Sequence, residues 1–365
     1  MAFDKICILG VGLIGGSLAL AFKRKGIGRE IIGFDRDDVI RGALDKKIID
    51  TGFALTDLRR GLTGAGLIIL AAPIENNLEI IPEIAGVAPE TSLISDVGST
   101  KSKMMDLASH FFTSGAEFVG GHPMAGSEKR GYAAADPFLF ENCYYILTPL
   151  DDVETPARQK FTECLEQIGA KVLYLDAKMH DQIAAAVSHL PQMIAVSLVN
   201  LIAQKSQQNP HYLKMAAGGF RDLTRIASSP FSIWKDICAS NGENILQLID
   251  DYLDELNALR TDLVQHNLQQ KFEFAAKTRL SIPHDTKGFL HPLFDITVVV
   301  QDKPGVIARI STLCANSGIN IRDIEILKVR LWEGGTMRLA FESEKDRERA
   351  ILLLEAEGFI CHIRE

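Results

Sequence analysis

The chain has 365 residues, of which 47% are apolar and 24% charged, and its formal net charge is −8. This length exceeds one ordinary hydrophobic core and predicts two or three globular domains. The acidic balance argues against nucleic acid as a partner, and the apolar runs are too short to predict a membrane span. Six scattered cysteines without a CxxC pair, no metal-ligand motif and no evident signal peptide predict a cytoplasmic protein with reduced thiols.

The first segment, residues 1–175, alternates strand and helix patterns. A helical spacing at residues 17–25 separates the first two strand-like runs. Short apolar runs predict strands at residues 5–9, 30–34, 67–71, 92–97, 117–119 and 144–147. Strands separated by helical patterns predict βαβ units in a largely parallel sheet, which is an α/β Rossmann domain.

A glycine fingerprint, GxGxxG at residues 10–15, follows the first strand and opens the first helix. Gly10 permits the tight turn, Gly12 lets the backbone approach a pyrophosphate, and Gly15 allows close packing of helix on strand. The free N–H groups at the start of the helix then favour the phosphates. The sequence therefore predicts a dinucleotide site.

An acidic residue, Asp35, lies twenty residues after Gly15 at the end of the second strand. A carboxylate there binds the adenine ribose and repels a 2′-phosphate, which favours NAD, although Arg36 leaves NADP open. The Ala71-Ala72-Pro73 turn is expected near the nicotinamide. The candidate cofactor residues are Gly10, Gly12, Leu13, Ile14, Gly15, Asp35, Arg36, Ala71 and Pro73.

The second segment, residues 176–280, has long stretches at helical spacing and no strand signal. Asp176 and Pro230 predict helix starts, and Gly218-Gly219 predicts a break. A stripe of apolar residues predicts one long amphipathic helix over 241–274. Its partner is a helix of the same chain or of a second subunit in a homodimer, and the sequence leaves both open.

A linker at residues 281–293 leads to a third segment, residues 294–365. Strand and helix patterns there follow the order βαββαβ, which predicts a small α+β ferredoxin-like domain. The predicted strands are 294–300, 319–329, 336–342 and 359–363, and the predicted helices are 306–316 and 344–355.

Three polar stretches supply candidates for chemistry, at residues 96–101, 120–128 and 219–225. The first two follow strands of the predicted sheet. Ligands of open α/β sheets bind outside the carboxyl ends of the strands, so Ser99 and His122 are placed where a reaction would occur. The third stretch is basic and suits carboxylates.

In this order behind the fingerprint, GSTK (98–101), GGHPMAGSEKRGY (120–132), SHLPQ (188–192) and GGFRDLTRIA (218–227) resemble the prephenate/arogenate dehydrogenase family. The resemblance covers nearly all of residues 1–280. The tail, with DKPGV at 302–306 and GINI at 318–321, resembles an ACT domain. The family chemistry is NAD-dependent oxidative decarboxylation of prephenate to 4-hydroxyphenylpyruvate in tyrosine biosynthesis, with arogenate as the alternative substrate.

The resemblance implies that His122 takes the proton of the C4 hydroxyl as hydride leaves, and that Ser99 orients this hydroxyl and His122. Arg225 would hold a substrate carboxylate with its planar fork. His189 would face the substrate side chain, where a possible cationic imidazole near the carboxylate would favour prephenate, although arogenate carries a carboxylate too. Glu128, Arg221 and Asp222 would form an ion-pair gate, although family members often carry lysine where this chain has Arg221. The substrate-binding candidates are Arg225, His189, Ser127, Glu128, Arg221, Asp222 and Trp234.

The ACT resemblance implies that a small molecule, with tyrosine as the expected effector, inhibits the enzyme from the tail. The candidate effector residues are Asp302, Gly305, Asn320 and Ile321. A tail that only aids dimerisation is the alternative, since fold alone does not imply function. Two other hypotheses are a β-hydroxyacid dehydrogenase, whose helical-domain lysine motif is missing here, and a non-catalytic NAD-binding amino-acid sensor.

Overall fold

The computed structural model describes residues 2–126, 129–281, 294–301, 303–330 and 334–364. Residues 282–293 of the predicted linker and the candidates Ser127, Glu128 and Asp302 lie outside this described part. The chain divides into two compact units, Met1–Arg279 and Leu280–Glu365.

The larger unit begins with an eight-stranded sheet in the order β3-β2-β1-β4-β5-β6-β7-β8. Its strands are β1 Phe3–Leu9, β2 Gly28–Phe34, β3 Thr51–Phe53, β4 Leu67–Leu70, β5 Leu93–Asp96, β6 Glu117–Pro123, β7 Tyr144–Pro149 and β8 Lys171–Tyr174. Neighbouring strands are parallel except β6 and β7, which are antiparallel. The first six strands have the order of dinucleotide-binding folds, so the predicted Rossmann class is confirmed.

Helices cover both faces of this sheet. They are α1 Leu13–Lys25, α2 Asp37–Asp45, α3 Leu58–Leu62, α4 Ile74–Val87, α5 Ser102–Phe111 and α6 Pro156–Gln167. On β1, Ile6 and Ile8 belong to one buried cluster, whereas Cys7 and Leu9 belong to the other. A parallel sheet covered on both faces needs apolar residues at successive positions, which explains the short continuous apolar runs.

A helical region follows the sheet. It contains α7 Ala177–Ala184, a π-helical turn Ala185–His189, α8 Leu190–Gln208, α9 His211–Lys214, α10 Gly218–Thr224, α11 Phe231–Val264 and α12 Gln269–Ser281. The Asp176 side chain caps α7 by accepting from the N–H groups of Lys178 and Met179, and Pro230 precedes α11. Both predicted helix starts are confirmed.

One helix prediction in this region is wrong. The helix predicted over 241–274 already starts at Phe231, has non-helical φ/ψ of −126° and 21° at Asn241, and ends at Val264. His266, with a left-handed φ of 56°, turns the chain before α12, which the apolar spacing alone did not reveal. The break expected at Gly218-Gly219 lies just before these glycines, between Lys214 at the end of α9 and Gly218 at the start of α10.

The smaller unit contains β9 Phe294–Val300, α13 Val306–Asn316, β10 Asp323–Arg330, β11 Gly334–Phe341, α14 Glu344–Ala356 and β12 Ile360–Arg364. Its antiparallel sheet has the order β10-β11-β9-β12, which confirms the ferredoxin-like prediction. The strand predicted from residue 319 starts at Asp323. Ile319 instead donates its N–H to the Cys314 carbonyl at the end of α13 and is buried in the core of this unit.

Candidate functional site

The glycine loop lies between β1 and α1, at the carboxyl edge of the sheet. Gly10 has φ of 97°, and a Cβ on it would lie 2.5 Å from the Ala72 nitrogen. A Cβ on Gly15 would lie 2.1 Å from the Gly10 carbonyl oxygen, whereas a Cβ on Gly12 would meet nothing within 4 Å. Gly10 and Gly15 are thus required by close packing, and Gly12 leaves one side of the loop open. This open side, beside the free N–H groups of α1, fits a dinucleotide pyrophosphate.

The Asp35 carboxylate is held beside this loop by two backbone donors. Its Oδ2 accepts from Val11 N at 2.8 Å, and its Oδ1 accepts from Arg36 N at 2.8 Å. Each carboxylate oxygen retains further acceptor capacity, which suits a ribose hydroxyl. The Arg36 side chain pairs with Asp38 at 3.3 Å on the surface.

The Ala71-Ala72-Pro73 turn is fixed against the glycine loop. Ala71 N donates to the Leu9 carbonyl at 2.6 Å. The buried Asn77 side chain donates to the carbonyls of Leu70 at 3.1 Å and Ala72 at 2.9 Å. Asn77 therefore holds this turn in place, a role that the sequence did not reveal.

His122 lies near the carboxyl end of β6 and is 8% exposed. Its Nδ1 is 2.8 Å from His180 Nε2, and His180 Nδ1 is 2.8 Å from Asp181 Oδ1. Burial, followed by the neighbouring His180 and Lys101, lowers the pKa of His122 well below 6.5. His122 is therefore a neutral base near pH 7.

The loop after β5 is tied to the strand that carries His122. Asp96 and Lys101 form an ion pair whose side chains are both 0% exposed. Asp96 also accepts from Gly98 N at 2.8 Å and from Gly121 N at 3.0 Å. Ser99 is half-buried in this loop, but no hydrogen bond joins it to His122 in the described part of the chain. Orientation of His122 by Ser99 was predicted; in the structure, His180 takes the Nδ1 contact.

The π-helical turn brings two histidines to the same side of one continuous helix. His180 and His189 are nine residues apart, which at about 100° per residue would place them on opposite sides of a regular α-helix. Leu190 N donates to the Ala185 carbonyl, five residues back, so one extra residue is accommodated. That residue reduces the separation to roughly 80°. Pro191, which has no N–H, makes an uninterrupted α-helical ladder impossible here.

His189 is 1% exposed, and its ring lies edge-on to Trp234 with centroids 5.9 Å apart. The Asn241 side-chain nitrogen is 3.2 Å from His189 Nδ1 and donates to the Asp181 carbonyl at 2.8 Å. Since that carbonyl can only accept, the amide N–H group also faces His189, whose Nδ1 accepts and whose Nε2 carries the proton. Burial lowers the pKa of His189 to about 4. The prediction of a cationic His189 is therefore wrong, because the ring is a neutral donor near pH 7.

Three further substrate candidates lie at the surface of the larger unit. Arg221 and Asp222 are exposed on α10, and Arg225 is exposed in the short 3₁₀ turn Arg225–Ser228 that follows. All three side chains are exposed, whereas the histidines His122, His180 and His189 are buried. Within the described ranges, no group of three His, Cys, Asp or Glu side chains is suited to hold a metal ion.

The effector candidates flank two elements of the smaller unit. Gly305, with φ of 90°, precedes α13, and the exposed Asn320 precedes β10. The neighbouring Ile321 packs partly against the core of this unit, so its side chain has a structural role as well.

Sequence reasoning missed His180, Asp181 and Asn241, which are 2%, 1% and 3% exposed. The adjacent His-Asp pair at the start of a helix was the available signal, because a polar pair next to an apolar helical stripe has to find partners when buried. Asn241 gave no signal, since its role depends on a kink in α11.

A dinucleotide loop, a buried neutral histidine at the same edge of the sheet, and a helical region completing the site define a Rossmann dehydrogenase with a helical second domain. The chain matches the family described as prephenate dehydrogenase, nucleotide-binding domain, over residues 18–174. It also matches the prephenate dehydrogenase dimerization domain over 176–276 and the ACT domain over 294–352.

Similar proteins agree with these matches. The prephenate dehydrogenase of Bacillus subtilis (strain 168) is 39% identical over 361 residues, covering 97% of this chain and 96% of that protein. The prephenate dehydrogenase of Lactococcus lactis subsp. cremoris is 36% identical, covering 96% and 97%. The crystal structure of prephenate dehydrogenase from A. aeolicus in complex with hydroxyphenyl propionate and NAD+ has a TM-score of 0.70 and 30% identity, covering 77% and 97%. The chain belongs to the prephenate dehydrogenase family.

Proposed function

We propose that the protein is an NAD-dependent prephenate dehydrogenase of tyrosine biosynthesis. The observation that carries the proposal is His122, a buried neutral imidazole at the carboxyl edge of the sheet that also carries the dinucleotide loop. Full-length similarity to two relatives named prephenate dehydrogenase supports the substrate. The alternatives are arogenate as substrate and, in another class, a non-catalytic sensor.

The main task of the chain in this reaction is to remove a proton from the substrate. When bound, NAD+ accepts the hydride from C4 of prephenate, and loss of CO2 from C1 makes the ring aromatic. The His122 Nε2 takes the proton of the C4 hydroxyl, and such general-base assistance contributes about 10² to 10⁴ in rate. A pKa well below 6.5 keeps this base unprotonated at neutral pH. Ser99, in the loop fixed by Asp96 and Lys101, orients the hydroxyl.

The substrate carboxylates are assigned to the helical region. The neutral His189 offers an Nε2–H donor, and Trp234 forms an apolar wall beside it. Arg225 binds a carboxylate with two parallel N–H groups when substrate occupies the site. Ser127, Glu128, Arg221 and Asp222 stay predictions for the mouth of the site.

NAD is assigned as the cofactor in preference to NADP. The Asp35 carboxylate is fixed beside the glycine loop, where a 2′-phosphate would meet its negative charge, while Arg36 is paired with Asp38. The A. aeolicus relative was crystallised with NAD+. The cofactor contacts then come from Gly12, Leu13 and Ile14 at the start of α1.

The test is NADH formation by the full-length protein with prephenate or arogenate, each with NAD+ or NADP+. We expect turnover of prephenate with NAD+, and a loss of at least 10²-fold in kcat for His122→Asn with unchanged NADH affinity. His110→Asn, on the exposed face of α5, is the matched control and keeps wild-type kcat. Turnover of arogenate alone would reassign the substrate, and NAD binding without any turnover would favour the sensor.

We also propose that the ACT domain mediates feedback inhibition by tyrosine. The ACT match and the near full-length similarity to B. subtilis prephenate dehydrogenase support this. The expected result is inhibition of the wild type by tyrosine and weaker inhibition of Asn320→Ala at unchanged uninhibited kcat. Equal inhibition of both proteins would remove Asn320 from the effector site, and no inhibition would favour a structural tail.

A homodimer through the helical region is the third proposal. Five leucines of α11 are 36–65% exposed, at positions Leu246, Leu253, Leu256, Leu259 and Leu263.

The continuous helix Ala177–Gln208 is also long and apolar enough, by length and composition only, to cross a membrane. Its buried His180, Asp181 and His189 argue against a bilayer span. A second subunit would cover the exposed apolar faces of α11 and of helix Ala177–Gln208 without placing these polar side chains in a bilayer.

Sedimentation of the wild type and of Leu253→Glu tests this assembly, with a dimer expected for the first and a monomer for the second. A monomeric wild type at micromolar concentration would overturn it. The six cysteines are free thiols, which supports the proposed cytoplasmic location.

A further inference from the structure

Two buried residues of α7, His180 and Asp181, lie behind the proposed base and have no part in the functions assigned so far. The His122 and His180 rings meet edge-to-face at 71° with centroids 5.0 Å apart. The hydrogen bonds His122 Nδ1 to His180 Nε2 and His180 Nδ1 to Asp181 Oδ1 are both 2.8 Å. These three side chains form one line that runs from the helical region into the Rossmann sheet.

We propose that Asp181 and His180 are positioning residues that fix the tautomer of His122, so that its Nε2 lone pair faces the substrate. The inference deepens the proposed dehydrogenase function and rests on it. An ionised carboxylate can only accept, so the proton between Asp181 and His180 belongs to His180 Nδ1. A neutral His180 then presents an Nε2 lone pair, which accepts the Nδ1–H of His122. The remaining nitrogen of His122, Nε2, is unprotonated.

Asp181 is held firmly enough to impose this order. Its Oδ1 accepts from Lys101 N at 2.7 Å and its Oδ2 from Ser102 N at 2.8 Å, which are the first N–H groups of α5. The Asn241 amide holds its carbonyl at 2.8 Å. Burial alone would raise the pKa of Asp181, but the hydrogen bonds from His180, Ser102 and Lys101 lower it. The negative end of the line is therefore ionised and fixed at a helix N-terminus.

The line also serves the step in which His122 gains a proton. The hydroxyl O–H bond breaks, an Nε2–H bond forms, and the Nδ1–H of His122 stays in place. The resulting positive charge is then stabilised by the Asp181 carboxylate through His180. Without His180, the Nδ1–H group of the buried His122 ring would lack an acceptor. The tautomer that carries its proton on Nε2, and so cannot act as a base there, would then compete.

Two substitutions of His180 separate the contacts on its two ring nitrogens. The terminal group of glutamine reaches the position of a histidine Nε2, and that of asparagine the position of Nδ1. His180→Gln thus keeps an acceptor for His122, whereas His180→Asn keeps only the partner of Asp181. We expect kcat to fall about 10² to 10⁴-fold in His180→Asn and to stay within about tenfold of wild type in His180→Gln.

The pH profile of kcat/KM adds a readout that a purely structural role would not move. Among the residues that the structure describes, the titratable groups around His122 are His180, Lys101, His189 and Asp181. We expect the acid limb to shift in His180→Asn while NADH affinity and thermal stability stay near wild type. Equal activity of the two variants, or higher activity of the asparagine variant, would overturn the proposal.

A direct measurement keeps the tautomer testable apart from turnover. ¹⁵N-histidine NMR of the full-length protein near pH 7, assigned by loss of a signal in His122→Asn, is expected to show protonated Nδ1 and unprotonated Nε2 for His122. The opposite tautomer would refute the proposed order of protons from Asp181 through His180 to His122, even if the enzyme is active. If prephenate is not turned over at all, the proposed function fails, but the NMR result still decides the tautomer.

Discussion

Two glycines of the fingerprint have different roles, since Gly15 is required for packing and Gly12 is proposed to make room for the cofactor. We therefore expect alanine at residue 15 to lower the Tm and alanine at residue 12 to weaken NADH binding. In Gly15→Ala the new Cβ would lie 2.1 Å from the Gly10 carbonyl oxygen and 3.0 Å from Ala71 Cβ. The first contact is with backbone, so the loop itself has to shift. Overpacking of this kind costs about 1–3 kcal/mol, and at roughly 2–4 °C per kcal/mol we expect a Tm lower by about 2–12 °C.

In Gly12→Ala the new Cβ meets nothing within 4 Å, and the residue has φ of −88°, which alanine adopts. The Tm is therefore expected to stay unchanged or to rise slightly. The methyl group lies on the side proposed for the pyrophosphate, so the Kd for NADH should rise at least about tenfold, which is about 1.4 kcal/mol.

Thermal melts without nucleotide and NADH fluorescence titrations measure both effects. Wild-type NADH affinity in Gly12→Ala would refute the assignment of the open side to the dinucleotide. A wild-type Tm in Gly15→Ala would refute the close-packing argument.

Two further predictions concern charge. Lys101→Met leaves Asp96 buried without its cation, so the free energy of unfolding should fall by about 3–5 kcal/mol in urea melts. Lys235→Met, which breaks an exposed pair with Glu75, is the control and should leave the urea midpoint near that of the wild type. Similar losses in the two variants would contradict the role of burial. Because burial, followed by His180 and Lys101, lowers the pKa of His122 well below 6.5, the acid limb of kcat/KM for prephenate should lie below pH 6.5 in the wild type. A limb at or above pH 6.5 would be incompatible with the buried neutral base.

The Rossmann and ferredoxin-like folds could be predicted because their signals are local. The glycine fingerprint, the apolar runs and Asp35 depend on a turn, a strand and a helix that are contiguous in sequence. The bounds of α13, Val306–Asn316, were predicted to the residue. The helical region was less predictable, because Asn241 at the kink contacts residues about 50–60 positions away, Asp181 and His189.

The site shows the same division. His122 follows a strand and lies in a motif, so its place at the sheet edge could be inferred. The protonation state of His189 could not be inferred from the sequence, since it depends on burial and on which ring nitrogen accepts the hydrogen bond from Asn241. The line from His122 through His180 to Asp181 joins β6 to α7 across 58 residues. The adjacent His-Asp pair indicates that these side chains need partners, but the local sequence does not identify His122 as the partner.

The kink of α11 lies beside the buried histidines, at one end of a long helical arm. Asn241, at the kink, touches both His189 and Asp181, and the straight part beyond it extends to Val264. At 1.5 Å per residue that arm is roughly 35 Å long, so a tilt of about 5° at the kink would move its tip by roughly 3 Å. The arm carries the exposed leucines, so a change of tilt at the kink would displace the face proposed for the dimer contact further than it would displace the histidines.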